Sequence, residues 1–239
     1  MSKPSISIVM SYYNRQALLD RTIASIKKSS IKDYELIIVD DGSDIPVVCE
    51  GANIIRIEKE DKWWHNPCVP FNMGFKEAKA DIILIQNPEC LHMGDILLHA
   101  LTSSKDGVYI TYPCYAINEA QTVRLANGTY PGIEHKRFSG KDRNGWYNHS
   151  TFRPVSYHFC AAITKKDLDL VGGFDEEYAH GISYDDDDFV YSIYNKGIQI
   201  QTATDLYVIH QYHPPYTYQR EGWKALHAKN KLLFETKWM

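Results

Sequence analysis

Four carboxylates stand side by side in "GISYDDDDFV", as Asp185, Asp186, Asp187 and Asp188. Adjacent carboxylates repel, and the repulsion grows as they leave water. A helix starting near residue 185 would hold all four in its first turn, where free amides and the helix dipole favour anions. Ser183 as cap and Asp186 as capping-box acid would account for part of the run. The surplus favours a site in which at least one carboxylate takes a proton or grips a hydroxyl. His210 and His213 form an H-x-x-H at the end of the apolar stretch "LYVIH", a candidate metal pair. Three other apolar stretches end in Ser11-Tyr12-Tyr13-Asn14, Asp40-Asp41-Gly42-Ser43 and Gln86-Asn87-Pro88-Glu89. At one sheet edge, an aromatic ring would stack on a base, a carboxylate would accept from base N–H, and an acid would hold a metal on a diphosphate. Each of these tetrapeptides alone is an ordinary turn or loop start.

The elements that would position these groups follow an α/β rhythm. "ISIVMSYYN" reads as a buried strand, and Asn14 is placed to cap the helix that follows, whose stripe is Leu19, Ile23 and Ile26. "YELIIVDDGS" is a second strand ending in a glycine turn, and "NIIRI" is a third. Pro70 fits the first turn of a helix with Phe71, Phe75 and Ala78 on one face. "DIILIQ" is another strand. This order predicts an α/β fold with a mostly parallel central sheet flanked by helices. Residues 113–157 carry "NGTYPG" and "SGKDRNG" with few apolar runs, and read as loops with a short hairpin. Beyond them come a strand "YHFCAAI", a short helix ending at Gly172, a helix over 185–195, strands "IQIQTA" and "LYVIH", and a terminal helix over about 219–236. No repeat or linker interrupts the chain. It reads as one domain, with a nucleotide-binding half over about 1–112 and an acceptor-binding, catalytic half over about 113–239. In an open α/β sheet, ligands bind beyond the carboxyl ends of the strands.

Composition narrows the partners. The 239 residues are 44% hydrophobic with a net charge of -4 and no basic run, which argues against nucleic acid. No stretch reaches membrane-span length, and no apolar signal core opens the chain. Cys49, Cys68, Cys90, Cys114 and Cys160 are scattered without a C-x-x-C, which disfavours a zinc cage and suits free thiols in a reducing cytoplasm. Peripheral attachment to a membrane stays open. Aromatic residues reach 13%, with seventeen tyrosines, and such rings suit stacking on pyranose faces. There is no G-x-x-x-x-G-K-[ST] and no G-x-G-x-x-G, so a diphosphate here would depend more on a cation than on a glycine cradle.

"SIVMSYYNR", "ELIIVDDGS", "FNMGFKEAKADIILIQNPE", "GGFDEEY", "YDDDDF" and "VIHQYHPP" occur in the order seen in family 2 glycosyltransferases of the GT-A (Rossmann-like) fold. The later motifs are also similar to those of β-1,4-galactosyltransferases and bacterial chondroitin-type polymerases. The resemblance spans about residues 5–215, but the segment over 115–155 matches no part of it. It implies inverting transfer of a sugar from a nucleotide diphosphate-sugar, most readily a UDP-sugar, with Mn2+ or Mg2+ on the diphosphate. The acceptor would be a glycan, a lipid-linked sugar or a protein hydroxyl. Ser11 and Tyr13 match positions that hold the base, and Asp41 matches the carboxylate that accepts from it. Asn87-Pro88-Glu89 stands in place of the family's D-x-D, which makes Glu89 the expected metal ligand and turns Asn87 toward ribose or sugar. His210 matches the distal metal histidine, with His213 second. The E-D-x-D motif falls on the aspartate run, which makes Asp186 the general base and Asp185 a hydroxyl-gripping acid. Asp187 and Trp146 are further substrate-binding expectations. Two departures stand out: Asn replaces the first acid of D-x-D, and His65-Asn66 replaces a basic residue near the diphosphate, with Lys62 the nearest cation. Two other readings compete. A nucleotidyltransferase would release pyrophosphate, and a non-catalytic nucleotide-sugar or glycan-binding module would bind donor without turnover.

Overall fold

The apolar stretches build two sheets. The structure, a computed structural model, describes residues 3–214 and 221–239. In chain order the first half contains β1 (Ile6–Tyr12), α1 (Gln16–Ile26), β2 (Tyr34–Asp41), β3 (Asn53–Ile57), α2 (Cys68–Glu77), β4 (Ile82–Gln86), β5 (Cys90–Met93), α3 (Ile96–Ser103) and β6 (Val108–Thr111). The second half contains β7 (Cys114–Ala116), α4 (Glu119–Ala126), β8 (Gly145–Asn148), β9 (Cys160–Thr164), α5 (Lys165–Val171), α6 (Asp185–Asn195), β10 (Gln199–Thr202), β11 (Tyr207–His210) and α7 (Trp223–Trp238). The central sheet runs β10-β6-β9-β4-β1-β2-β3. Its neighbours are parallel except around β9, which is antiparallel to both β4 and β6. The second sheet runs β5-β11-β7-β8.

Strand alternation divides the core between the two faces of the central sheet. Ile6, Ile8, Met10 and Tyr12 of β1 join Leu36, Ile38 and Leu84 on the face covered by α1 and α3. Val9, Ile37, Val39, Ile83 and Ile85 point the other way, toward Phe71 and Phe75 of α2 and Phe189 of α6. Helix α2 lies so close to the sheet that a Cβ on Gly74 would sit 2.4 Å from the Val9 Cγ1. Chain order reverses about β1, which has β2 on one side and β4 on the other. Such a reversal opens a crevice beyond the carboxyl ends of these strands.

Three local expectations are corrected. Asn14 does not cap α1: Arg15 is the cap residue, and the Asn14 side chain instead bonds Asp44 in the turn after β2. Ser183 does not cap α6. That helix opens from Tyr184, with Ser183 and Tyr184 both at positive φ (64° and 67°) and no side-chain cap. Residues 113–157 are not only loops and a hairpin. They hold β7, β8 and α4, the last opened by a capping box between Asn118 and Gln121.

The terminal helix is tied to the start of α6. Lys237 Nζ lies 2.7 Å from Asp175 and 2.8 Å from Asp188, and the Trp238 indole donates to the same Asp188 carboxylate at 2.7 Å. Asn230 donates to the carbonyls of Tyr178 and Ser183, ahead of that helix. Asp188 is buried, so its role is to anchor α7. Asp188→Asn should therefore lower stability by roughly 1.5–3 kcal/mol, the usual loss for a hydrogen bond to a charged group. At about 2–4 °C per kcal/mol for a chain of this size, that is a melting shift of roughly 3–12 °C. An unchanged melting curve would remove the anchor from this pair of helices.

Candidate active site

The crevice at the switch point gathers residues from four separate stretches. A cavity of about 190 Å³ is lined by Ser11 near the end of β1 and Tyr13 just beyond it, Asp41 at the end of β2, Lys62 and His65 ahead of α2, and Asn87 and Glu89 beyond β4. The structure thus brings the expected base-binding groups and the expected metal acid into one pocket. Asp41 is already engaged there. Its carboxylate takes the Trp64 indole at 2.7 Å and Lys62 Nζ at 2.5 Å, and Lys62 in turn lies over the Tyr13 ring. Burial raises the Asp41 pKa, while Lys62 and Trp64 pull it back down. Lys62 is therefore bound at the Asp41 end of the pocket.

The antiparallel pairing of β5 with β11 sets Cys90 opposite His210. Glu89, one residue earlier, consequently meets both histidines: its Oε1 lies 3.4 Å from His210 Nε2 and 3.6 Å from His213 Nε2. The ligand atoms of these three residues all fall within 4.8 Å of one another. A carboxylate with two imidazoles suits a divalent transition ion. The cluster already attracts positive charge, because Arg15 Nη1 lies 2.7 Å from Glu89 Oε2 and 3.4 Å from His213 Nε2. Burial pushes the Glu89 carboxyl up, but Arg15 and then the two histidines hold it well below the usual carboxylate range. Burial lowers the His210 pKa, which leaves a neutral imidazole able to ligate. Buried Gln211 fixes the turn between the histidines: its amide donates to the carbonyls of Leu18 and Glu89, and it accepts from Arg21. Arg15 and Gln211 were not singled out in the sequence. Neither belongs to an acidic or histidine motif, and Gln211 became visible only as the contact between α1 and β11.

The four aspartates separate by direction. Asp186 lines both a cavity of about 540 Å³ that also reaches His210 and His213, and one of about 230 Å³ that reaches Asn87 and Asp185. His158 Nδ1 lies 2.8 Å from Asp186 Oδ1, though off the line that a hydrogen bond requires. That imidazole is buried edge-on among Phe71, Phe174 and Phe189. His158 was also missed in the sequence, where it lies inside an apolar strand signal. Asp187 accepts from the Tyr157 hydroxyl at 2.6 Å, so it meets the larger cavity through Tyr157. Trp146 lines none of these cavities. It is buried beneath the second sheet against Tyr115 and Tyr207, because alternation along β8 turns it inward; Tyr147 faces the cavity instead.

Asp185 is buried, and its carboxyl is pushed up to about 7 by that burial and then by Asp186 beside it. The folded form therefore keeps a proton that the unfolded chain loses near the ordinary value of 3.8. The native state binds more protons across that interval, so this group's stabilising contribution is full below pH ~4 and is lost as pH rises through ~7. Asp185→Asn should remove the slope, and its melting temperature relative to the parent should be higher at pH 8 than at pH 5. Parallel melting temperatures across that range would exclude the titration.

The profile described as Glycosyl transferase family 2 matches residues 7–168, most of the chain. The chain belongs to glycosyl transferase family 2. It is 33% identical over 95 residues to the poly(ribitol-phosphate) beta-N-acetylglucosaminyltransferase TarP of Staphylococcus aureus, a match covering 36% of this chain and 29% of TarP. It is 26% identical over 241 aligned residues to a chondroitin synthase of Escherichia coli, covering 88% of this chain and 35% of that protein. The chain thus spans about a third of the length of these relatives. Among solved structures, S. aureus TarS superposes with a TM-score of 0.62 at 15% identity, covering 88% of this chain and 37% of TarS. The mannosyltransferase PcManGT of Pyrobaculum calidifontis, in complex with GDP-Man and Mn2+, superposes at 0.59 and 14% identity, covering 99% of this chain and 64% of that one. These likenesses give the family 2 chain the GT-A fold. Among the described residues, no helix is long and apolar enough to cross a membrane.

Proposed function

We propose that this domain transfers a sugar from a nucleotide diphosphate-sugar, a UDP-sugar in the first instance, to a hydroxyl of a glycan acceptor with inversion. The observation that carries the reading is the position of Asp186, the one acid of the run that lines both cavities beside the Glu89–histidine cluster. Tyr13 and Ser11 hold the base and Asn87 faces the ribose or sugar. Glu89, His210 and His213 would hold a divalent cation, Mn2+ or Mg2+, which when bound supplies charge stabilisation to the departing diphosphate. Asp186 takes the proton of the acceptor hydroxyl as its oxygen attacks the anomeric carbon from the face opposite the diphosphate. Asp185 holds neighbouring hydroxyls. The UDP complex of TarS and the GDP-Man and Mn2+ complex of PcManGT support the donor and cation classes.

The test is a melting panel of UDP- and GDP-sugars with Mn2+ or Mg2+, followed by analysis of products. A ligand at about 100 times its dissociation constant adds roughly 2.7 kcal/mol, or roughly 5–10 °C here. EDTA should shrink that shift, and the released product should be a nucleoside diphosphate. Full binding and turnover in EDTA would remove the cation from the reading, and pyrophosphate release would replace transfer of a glycosyl group with nucleotidyl transfer.

A further inference from the structure

The larger cavity is unusually cationic for a chain of net charge -4. Three arginines, Arg15, Arg143 and Arg153, line it, against one carboxylate, Asp186. Arg15 is committed to Glu89. Among the described residues, the other two have no carboxylate partner within ion-pair distance. Both are instead held in place by aromatic rings. The Arg143 guanidinium lies 5.0 Å from the Tyr212 ring centroid, and its buried Nε has no hydrogen-bond partner. The Arg153 guanidinium lies 5.7 Å from the Tyr147 ring and 5.6 Å from the Tyr157 ring, and donates to the Tyr147 carbonyl. Asp187, which feels the Arg153 charge without pairing with it, is bonded to the Tyr157 hydroxyl.

Stacking on a ring fixes a guanidinium plane while leaving its edge free to donate. Two such forks flanking an aromatic floor, with Tyr147 stacked on Phe138 at 3.9 Å, match a polyol or sugar ring carrying a negative group. We infer that the acceptor of this domain is anionic, a sugar or polyol bearing a carboxylate or a phosphate, held by Arg143 and Arg153 while its hydroxyl faces Asp186. This rests on the proposed transfer reaction, since it assigns the acceptor side of that same site.

The test compares matched probes on the full chain loaded with UDP and Mn2+, by saturation-transfer NMR titration. One pair is an oligosaccharide ending in glucuronic acid and its carboxyl-reduced, glucose-ended counterpart. The other is a ribitol-phosphate oligomer and free ribitol. The anionic member of one pair should bind on the order of tenfold more tightly, as loss of a charge-assisted bond implies. The pair that shows the advantage distinguishes carboxylate from phosphate. The advantage should collapse in Arg143→Gln/Arg153→Gln and return in part in Arg143→Lys/Arg153→Lys, with UDP affinity unchanged. Arg143→Gln alone, on a surface turn, provides a second variant less exposed to misfolding and should show part of the loss. Equal binding within both pairs, or an advantage that survives the double Gln variant, overturns the inference. So does a loss of UDP affinity in that variant with acceptor preference intact, which would give the arginines to the donor diphosphate. If instead UDP never binds, while the anionic preference and its arginine dependence are seen with the UDP-free chain, the donor reading falls and the anionic site stands.

Discussion

Asp186→Asn should leave the domain folded and able to bind donor, yet lower the transfer rate by on the order of 10²–10⁴, the usual contribution of a positioned general base. Asparagine preserves shape and can still accept one hydrogen bond, but cannot take a proton. The substitution therefore separates catalysis from helix electrostatics. If the aspartate run served only the helix start, losing one first-turn charge would cost about 0.3–1 kcal/mol of stability and leave the rate untouched. The structure sharpens the contrast among the four. Asp188 faces α7 and Asp187 faces Tyr157, so their Asn variants should act on stability and on cavity shape. Asp185→Asn should raise the acceptor KM more than it lowers kcat. The measurements are kcat, KM, melting temperature and, separately, donor affinity for all four. A near-normal kcat in Asp186→Asn would place the base elsewhere.

Glu89→Ala should abolish metal-dependent stabilisation, and His210→Ala should weaken it, with the double variant costing less than the sum because both would bind one ion. In an Mn2+ titration at about 100 times the parent dissociation constant, the expected loss approaches 2.7 kcal/mol. The family resemblance ranks His213 behind His210. The distances of 3.4 and 3.6 Å from the same Glu89 oxygen bring them nearly level, and His213→Ala should weaken binding as well, by less because that ring is more exposed. Glu89→Ala also leaves Arg15 without its carboxylate, so it should be the one variant whose metal-free melting temperature changes most. Small, additive effects on Mn2+ affinity would reduce the cluster to polar strand ends.

How much of this was legible in the chain depends on how local each signal is. β1, β2 and β4 announce themselves as apolar runs, and the polar residues at their ends could be assigned because parallel strands deliver their carboxyl ends to one edge. Helix α6 was legible from its acids and from Gly197 beyond it. The Asn118–Gln121 box of α4 was also present in the sequence, but the surrounding glycines and prolines of 113–157 outweighed it. Trp146 was misplaced because composition shows that aromatics are abundant, not which face of a four-residue strand carries them. Arg15, His158 and Gln211 act through partners at sequence separations of 74, 28 and 122 residues, distances at which no spacing rule operates.

The bond from the Trp238 indole to Asp188 places a spectroscopic observer beside the proposed reaction centre without occupying it. The indole N–H resonance, or the shift of a fluorine on that ring, senses the first turn of α6 two residues from Asp186. Any tilt of that turn as substrates enter would therefore be recorded at the periphery of the protein. The cavity itself would carry no label, and occupancy of the two sides could be followed in real time on the unaltered active site.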